Sequence, residues 1–177
     1  MTTGDERARA RCFVRAECGF AQLVTFDATG QPIGRTTSAF LNDDWSVDLV
    51  QRRTHRRVEQ LERDDRVLVL WSGTPAADSV NDSPWTFDLG LTIPRVVFVR
   101  GVARALDADE TWEVYRHHSE RLRAAGNTKA PQRDRGDIDE NFAGTRIQPR
   151  RIRLEGFGQG AESFTWNIGR ASDQPSS

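Results

Sequence analysis

Three short segments in which apolar and polar residues alternate follow one another in the first third of the chain, separated only by polar turns. An alternation of period two is typical of strands with one buried face, and short runs of turn-forming residues between strands favour antiparallel hairpins. The segments are Gly19–Phe26, Pro32–Leu41 and Trp45–Gln51, with Asp27-Ala-Thr-Gly30 and Asn42-Asp43-Asp44 between them. The sequence therefore predicts a three-stranded antiparallel meander.

The rest of the chain predicts further strands and a small number of helices. Thr54 can cap a short helix in which Val58 and Leu61 share a face. Asp107-Ala-Asp-Glu110 resembles a capping box that opens a longer helix ending near Ala125. The other predicted elements are a helix over Asp5–Cys18 and strands over Arg66–Trp71, Arg95–Leu106, Arg146–Leu154 and Phe164–Trp166.

Length and charge restrict the class of protein. The 177 residues suit one domain, which we place at residues 1–170 and follow with a loose tail at 171–177. A formal net charge of -1 argues against general affinity for nucleic acid or for acidic membranes. We find no apolar leader and no run of membrane-spanning length, and there are only two cysteines. These features predict a cytoplasmic protein that is mainly β with flanking helices.

Two nearby segments place hydroxyl groups beside arginines. Arg35-Thr36-Thr37 lies on the second predicted strand, and Thr54-His55-Arg56-Arg57 lies at the start of the predicted short helix. Arginine presents a planar fork of donors that suits a phosphate group, and hydroxyls and helix-end amides can donate to the remaining phosphate oxygens. If the two segments meet in the fold, they form a site for a phosphorylated ligand.

Simpler interpretations of these residues remain open. The basic residues are nearly all arginine, with Lys129 the only lysine, so the number of arginines is weak evidence by itself. Thr36 and Thr37 also suit a plain strand, because threonine has a high strand propensity. His117 and His118 are adjacent on the predicted long helix, where neighbouring side chains point about 100° apart, so we predict no metal site.

The order of these elements resembles the flavin-binding split-barrel superfamily, whose best-known members are the pyridoxamine 5'-phosphate oxidases. The family pattern has a Gly-x-Pro turn, a strand arginine, a Ser/Thr-Arg-Lys type of helix start, a leucine and an Asn-Pro-Arg-Val-like entry into the next strand. The matching residues are Gly30-Gln-Pro32, Arg35, Thr54-His55-Arg56-Arg57, Leu61 and Asp64-Asp65-Arg66-Val67, with a weaker match at Val99-Arg-Gly101-Val-Ala103. Order and spacing support the resemblance more than any single motif does.

The resemblance implies an antiparallel split β-barrel that forms a homodimer and binds flavin mononucleotide (FMN) at the subunit interface. It implies an oxidoreductase acting on a small organic substrate, for which no catalytic side chain can be assigned. Arg56 and Arg57 would clamp the phosphate at the helix start, where the helix dipole also favours an anion. The full set of residues that the resemblance assigns to the cofactor is Arg35, Thr36, Thr37, Gln51, Thr54, Arg56 and Arg57.

Alternatives to this function also follow from the sequence. Pyridoxamine 5'-phosphate oxidases carry a C-terminal Arg-x-His-type substrate element, whereas Arg150-Arg-Ile-Arg153-Leu-Glu-Gly-Phe157 contains no histidine. We therefore do not expect the vitamin B6 substrate. Related branches use a deazaflavin or bind heme. A non-catalytic protein that sequesters flavin or another phosphorylated ligand is the alternative from a different class.

Two long polar segments are candidates to cover the ligand. We interpret Ser72–Pro94 as a loop and Gly126–Asn141 as a flexible segment, because both are rich in polar and turn-forming residues. Loops of this length in small domains are often functional, and lids of this kind commonly order when ligand binds. Trp85 is the aromatic residue that we expect to approach a ligand ring.

Overall fold

The computed structural model describes residues 3–75, 93–127, 129, 131–158 and 163–168. Its helices are α1 (Thr3–Ala16), α2 (Arg56–Arg63), α3 (Ala108–Ala124) and α4 (Arg135–Asn141). Its strands are β1 (Ala21–Phe26), β2 (Pro32–Thr37), β3 (Phe40–Leu41), β4 (Val47–Arg52), β5 (Arg66–Gly73), β6 (Arg95–Ala105), β7 (Phe142–Glu155) and β8 (Ser163–Asn167). None of the helices in these ranges is long and apolar enough to cross a membrane.

The eight described strands form one antiparallel sheet that curls into a half-barrel. The strand order is β2-β1-β5-β6-β7-β4-β3, and β8 pairs with the last residues of β7. β2 and β3 lie at opposite edges of this order, yet only Ser38 and Ala39 separate them along the chain. Three successive Cα–Cα steps span at most about 11 Å. The end of β2 and the start of β3 must therefore lie close together, which requires the sheet to curl.

The predicted strand Pro32–Leu41 is therefore two strands, and the predicted meander is wrong. β2 pairs with β1 as a hairpin, but β3 pairs with β4 at the opposite edge of the sheet. β4 then pairs with β7 rather than with β2. Trp45, which was predicted to open the third strand, lies in the preceding turn with a φ of 68°. The alternation of residue types continues through these breaks, so it does not reveal which strands are neighbours.

The apolar core lies inside the curled sheet, with α1 packed against it. α1 contributes Ala10, Phe13 and Val14, which share one face of the helix. Phe13 packs edge-on against Phe157 with ring centroids 5.4 Å apart. The strands contribute the fully buried residues Leu23, Leu49, Val69, Trp71, Val97, Val99, Ile147, Ile152 and Leu154. Because this face is so uniformly apolar, the few polar side chains on it are candidates for a functional role.

α3 covers the outer face of β4 and β7, and its start confirms the predicted capping box. The side chain of Asp107 accepts a hydrogen bond from the backbone N–H of Glu110 at 2.8 Å, and Glu110 accepts one from the backbone N–H of Asp107 at 3.2 Å. Trp112 and Tyr115 stack on each other with ring centroids 6.0 Å apart. The buried residues of the helix are Thr111, Val114 and His118.

The C-terminal half contains one element that the sequence reading missed. Residues 126–141 were predicted to be flexible, but 135–141 form α4, which Asp134 caps by accepting a hydrogen bond from the backbone N–H of Asp137 at 2.8 Å. Ile138 anchors this helix because its side chain is fully buried. The predicted short strand near Phe164 is confirmed as β8. Trp85, most of the predicted 72–94 loop and the predicted tail lie outside the described residues.

Candidate anion-binding site

Arg35 extends from the middle of β2 on the inner side of the sheet. Its partner in the β1–β2 hairpin is the fully buried Leu23. Nη1 of Arg35 donates to Oε1 of Gln60 at 2.7 Å and to Oγ1 of Thr25 at 3.3 Å. The Thr25 hydroxyl also donates to Oε1 of Gln60, at 3.1 Å. Both partners are neutral, so among the described residues no carboxylate compensates the charge of Arg35.

Arg57 lies at the start of α2, close to Arg35. The N-cap of α2 is His55, so the predicted capping role of Thr54 is wrong. His55 makes no side-chain capping bond, and its Nδ1 lies 3.2 Å from Nη2 of Arg57. Nε of Arg57 is buried without a hydrogen-bond partner in the part of the chain that the structure describes. This end of the helix therefore offers backbone amides without a side-chain cap and an unused guanidinium donor to an anion.

Burial and neighbouring positive charges both act on the basic groups at the start of α2. Burial lowers the pKa of Arg57 below its ordinary value, and the charge of Arg35 lowers it further. The pKa of His55 is lowered by desolvation and then by the charges of Arg57 and Arg52. Both shifts are downward because burial, and to a smaller extent the neighbouring positive charges, disfavour the charged form of each group. A bound anion would relieve this repulsion.

Gln51 is a second polar group left unpaired by the fold. It is 2% exposed and shares the inner face of β4 with Val47 and Leu49. Neither Nε2 nor Oε1 of its amide has a hydrogen-bond partner among the residues described. Buried polar atoms are nearly always paired, so an amide with two unpaired atoms is a candidate for contact with a ligand. Gln51 can offer a donor and an acceptor to one ligand.

The remaining predicted residues differ in the face of the element that they occupy and in their exposure. Thr36 is on the opposite face of β2, where its hydroxyl and the amide of Gln22 exchange hydrogen bonds at 3.0 and 3.3 Å. Thr37 is on the same face as Arg35 and is 8% exposed, and its hydroxyl donates to the carbonyl of Ser38 at 3.3 Å. Thr54 and Arg56 are exposed beside the start of α2. The structure therefore brings Arg35 and Arg57 together but directs Thr36 away from them.

Gln60 and Thr25 belong to this site, and sequence reasoning missed both. Thr25 continues the buried alternation of Ala21 and Leu23, and Gln60 lies on the buried face of α2 beside Leu61. The sequence does carry one signal for these two residues: each is polar at a position where the periodicity predicts burial. Their pairing could not be read from that signal, because it joins residues 35 positions apart in the chain.

Comparison with known proteins identifies the fold through solved structures alone. No protein-family model and no curated protein matches the chain. A heme binding protein from Mycobacterium smegmatis superimposes with a TM-score of 0.64 at 18% identity, over 94% of this chain and 60% of that protein. The heme storage protein HutZ from Vibrio cholerae gives a TM-score of 0.55 at 19% identity, over 84% and 91% of the two chains.

A third similar structure comes from the family suggested by the sequence. It is a Clostridium acetobutylicum protein related to general stress protein 26 of B. subtilis, of the pyridoxinephosphate oxidase family, with a TM-score of 0.54 at 13% identity. The match covers 93% of this chain and 96% of that protein. The superpositions establish the fold, but at such low sequence identities they do not establish the activity. The protein has an antiparallel split-barrel fold like that of these structures, as the sequence resemblance predicted.

Proposed function

We propose that this protein binds FMN as a homodimer and serves as an oxidoreductase acting on a small organic substrate. The observation that supports this proposal best is the pair Arg35 and Arg57, two neighbouring guanidinium groups without a carboxylate partner among the described residues. A phosphate dianion suits such a pair because each guanidinium can donate two parallel hydrogen bonds. The uncapped start of α2 adds backbone donors and the positive end of the helix dipole.

The unpaired buried atoms of Arg57 and Gln51 suit the rest of the cofactor. Nε of Arg57 supplies a buried donor for the phosphate, and the amide of Gln51 supplies a buried donor and acceptor for the ribityl hydroxyls or the polar edge of the ring. When bound, the flavin supplies two-electron transfer. In this proposal the chain's own residues hold the phosphate, orient the ligand and exclude water, which requires no acid–base side chain.

We expect loss of one arginine to weaken binding of FMN but not of riboflavin, which lacks the phosphate. Arg57→Ala and Arg35→Ala should each cost about 1.5–3 kcal/mol of binding free energy, or roughly tenfold to hundredfold in affinity. Arg63→Ala is the matched control, because Arg63 is an exposed arginine at the other end of α2. Titration of each variant with both flavins measures the effect. Unchanged FMN affinity in both variants would contradict the phosphate assignment.

The absorption spectrum of the purified protein tests the identity of the ligand. The two-banded visible spectrum of an oxidised flavin supports the proposal, and its bleaching by a nicotinamide donor supports turnover. A single visible band of a deazaflavin would keep the anion site and replace the cofactor. A Soret band would point to heme, which the names of two similar structures include, and would overturn the flavin proposal.

We expect the protein to be a homodimer with a mass of about 40 kDa, twice the chain mass of 20.0 kDa. A barrel of this size is too small to enclose a tricyclic ring by itself. The outer face of β1, β5 and β6 carries the cross-strand pairs Val24–Leu68 and Leu70–Phe98, all half-buried, and we propose that a second copy covers them. Obligate interfaces commonly bury more than about 2,000 Å². Light scattering at micromolar concentration measures the mass, and a value of 20.0 kDa would refute the dimer.

A further inference from the structure

We infer that Gln60 is a positioning residue that keeps the anion site positively charged, and that its neutral amide makes the site selective for a phosphate dianion. The inference rests on the proposed function, because it assigns a role to a residue behind the proposed phosphate contact. Gln60 does not touch the ligand in this proposal. It acts through Arg35, whose guanidinium it holds in place.

The contacts of Gln60 suit this role. Its Oε1 accepts from Nη1 of Arg35 at 2.7 Å and from Oγ1 of Thr25 at 3.1 Å, so one acceptor anchors two donors. Gln60 is 8% exposed and Thr25 is fully buried, which excludes water from the anchor. Only Nη1 of the Arg35 guanidinium is used in these bonds. Its other donors remain for a ligand.

The neutral side-chain anchor of Arg35 contrasts with the carboxylate partners of two other strand arginines. Arg95 pairs with both oxygens of Glu17 at 2.9 and 2.6 Å, and Arg104 pairs with both oxygens of Glu110 at 2.9 and 2.8 Å. A glutamate at position 60 would fit the same space and form the same bond with Arg35. It would also neutralise one of the two charges that face the site. The amide therefore keeps Arg35 oriented without reducing its attraction for an anion.

The test replaces Gln60 with glutamate, which changes the charge and almost nothing else. We expect Gln60→Glu to lower FMN affinity by about tenfold or more while riboflavin affinity stays within about twofold, because only FMN carries the phosphate charge. The thermal midpoint should not fall, since the new carboxylate pairs with Arg35. Gln31→Glu, which adds the same charge in an exposed turn, is the control and should bind both flavins as wild type does.

A second variant separates the effect of the added charge from the effect of losing the hydrogen-bond acceptor. Gln60→Met keeps the side-chain volume but removes the acceptor, so Arg35 loses its anchor and keeps its charge. We expect its preference for FMN over riboflavin to fall by less than that of Gln60→Glu. If Gln60→Glu retains the wild-type preference, or if Gln60→Met loses as much as Gln60→Glu, the inference is overturned. If wild-type protein binds FMN and riboflavin equally, the phosphate site itself is wrong, which is a different failure.

Discussion

Replacing Arg146 with leucine is expected to destabilise the folded protein by about 3–5 kcal/mol at neutral pH. Arg146 donates from Nε and Nη2 to the two carboxylate oxygens of Asp48 at 2.7 and 2.9 Å. Asp48 is 2% exposed and lies beneath α3, where its other partner is the amide of Asn42 at 2.8 Å. Without Arg146 the carboxylate would remain buried with one neutral donor. An uncompensated buried charge is among the most costly defects in a protein interior.

Urea unfolding of the wild type and of Arg146→Leu measures this cost. The matched control is Arg116→Leu, which removes an arginine whose pairs with Glu113 and Glu120 are exposed on α3. Exposed pairs contribute about 0–1 kcal/mol, so the control should lose far less stability. If both variants lose the same small amount, Asp48 does not depend on Arg146 for its burial, and the prediction is wrong.

Acid is expected to weaken the fold through His118. This side chain is 3% exposed, its ring stacks on Phe40 with centroids 3.6 Å apart, and neither ring nitrogen has a hydrogen-bond partner within the described structure. Burial lowers the pKa of His118 from 6.5 to about 3. The carboxylate of Asp48, 4.0 Å from Nε2, opposes this shift, whereas the positive groups of His117, Arg121 and Arg146 add to it.

The direction of the pH effect follows from these two pKa values. The unfolded chain takes up the His118 proton near pH 6.5, but the folded protein does so only near pH 3. Between these values the unfolded state binds more protons, so stability falls as the pH falls. We expect His118 alone to account for a loss of about 2–3 kcal/mol between pH 7 and about pH 4.5. Asp64 and Glu110, whose carboxyl pKa values are lowered to about 2, lose their contributions at lower pH.

Replacing His118 with phenylalanine should remove this acid sensitivity. The phenyl ring can keep the stacking on Phe40 and has no nitrogen to leave unpaired, so stability at neutral pH should not fall. His117→Gln changes the exposed neighbour on the same helix and should retain the wild-type pH dependence. The test measures the unfolding free energies of the wild type, His118→Phe and His117→Gln at pH 7 and about pH 4.5. Parallel pH dependence in the wild type and His118→Phe would refute the prediction.

Features that depend on neighbours in the chain could be predicted from the sequence. The capping box of Asp107 and Glu110 involves residues three apart, and the structure confirms it. In the predicted turn after β1, Asp27 accepts hydrogen bonds from the backbone amides of Thr29 and Gln31 at 2.8 and 2.9 Å. Gly30 takes a φ of 81° there, a conformation that glycine adopts without strain. Such local geometry follows from residue type alone.

The errors concern contacts between distant parts of the chain. The break at Ser38 and Ala39 leaves the residue alternation intact, so the sequence could not show that β3 belongs to the opposite edge. The buried residues of α3 are Thr111, Val114 and His118, and packing on β4 and β7 decides that His118 is buried. Residues 135–141 are mostly polar, but they form a helix whose one buried residue is Ile138. In each case a nonlocal contact overrides a local preference.

The candidate site also combines local features, which follow from the sequence, with contacts between distant residues, which do not. The positions of Arg35 on a strand and of Arg57 at a helix start could be predicted from period, turn chemistry and spacing, which are local features. In contrast, the proximity of Arg35 to Arg57, the outward orientation of Thr36 and the bond between Gln60 and Arg35 across 25 residues became visible in the folded protein alone. The reason is that curling of the sheet sets which distant residues become neighbours, and this depends on how the whole core packs.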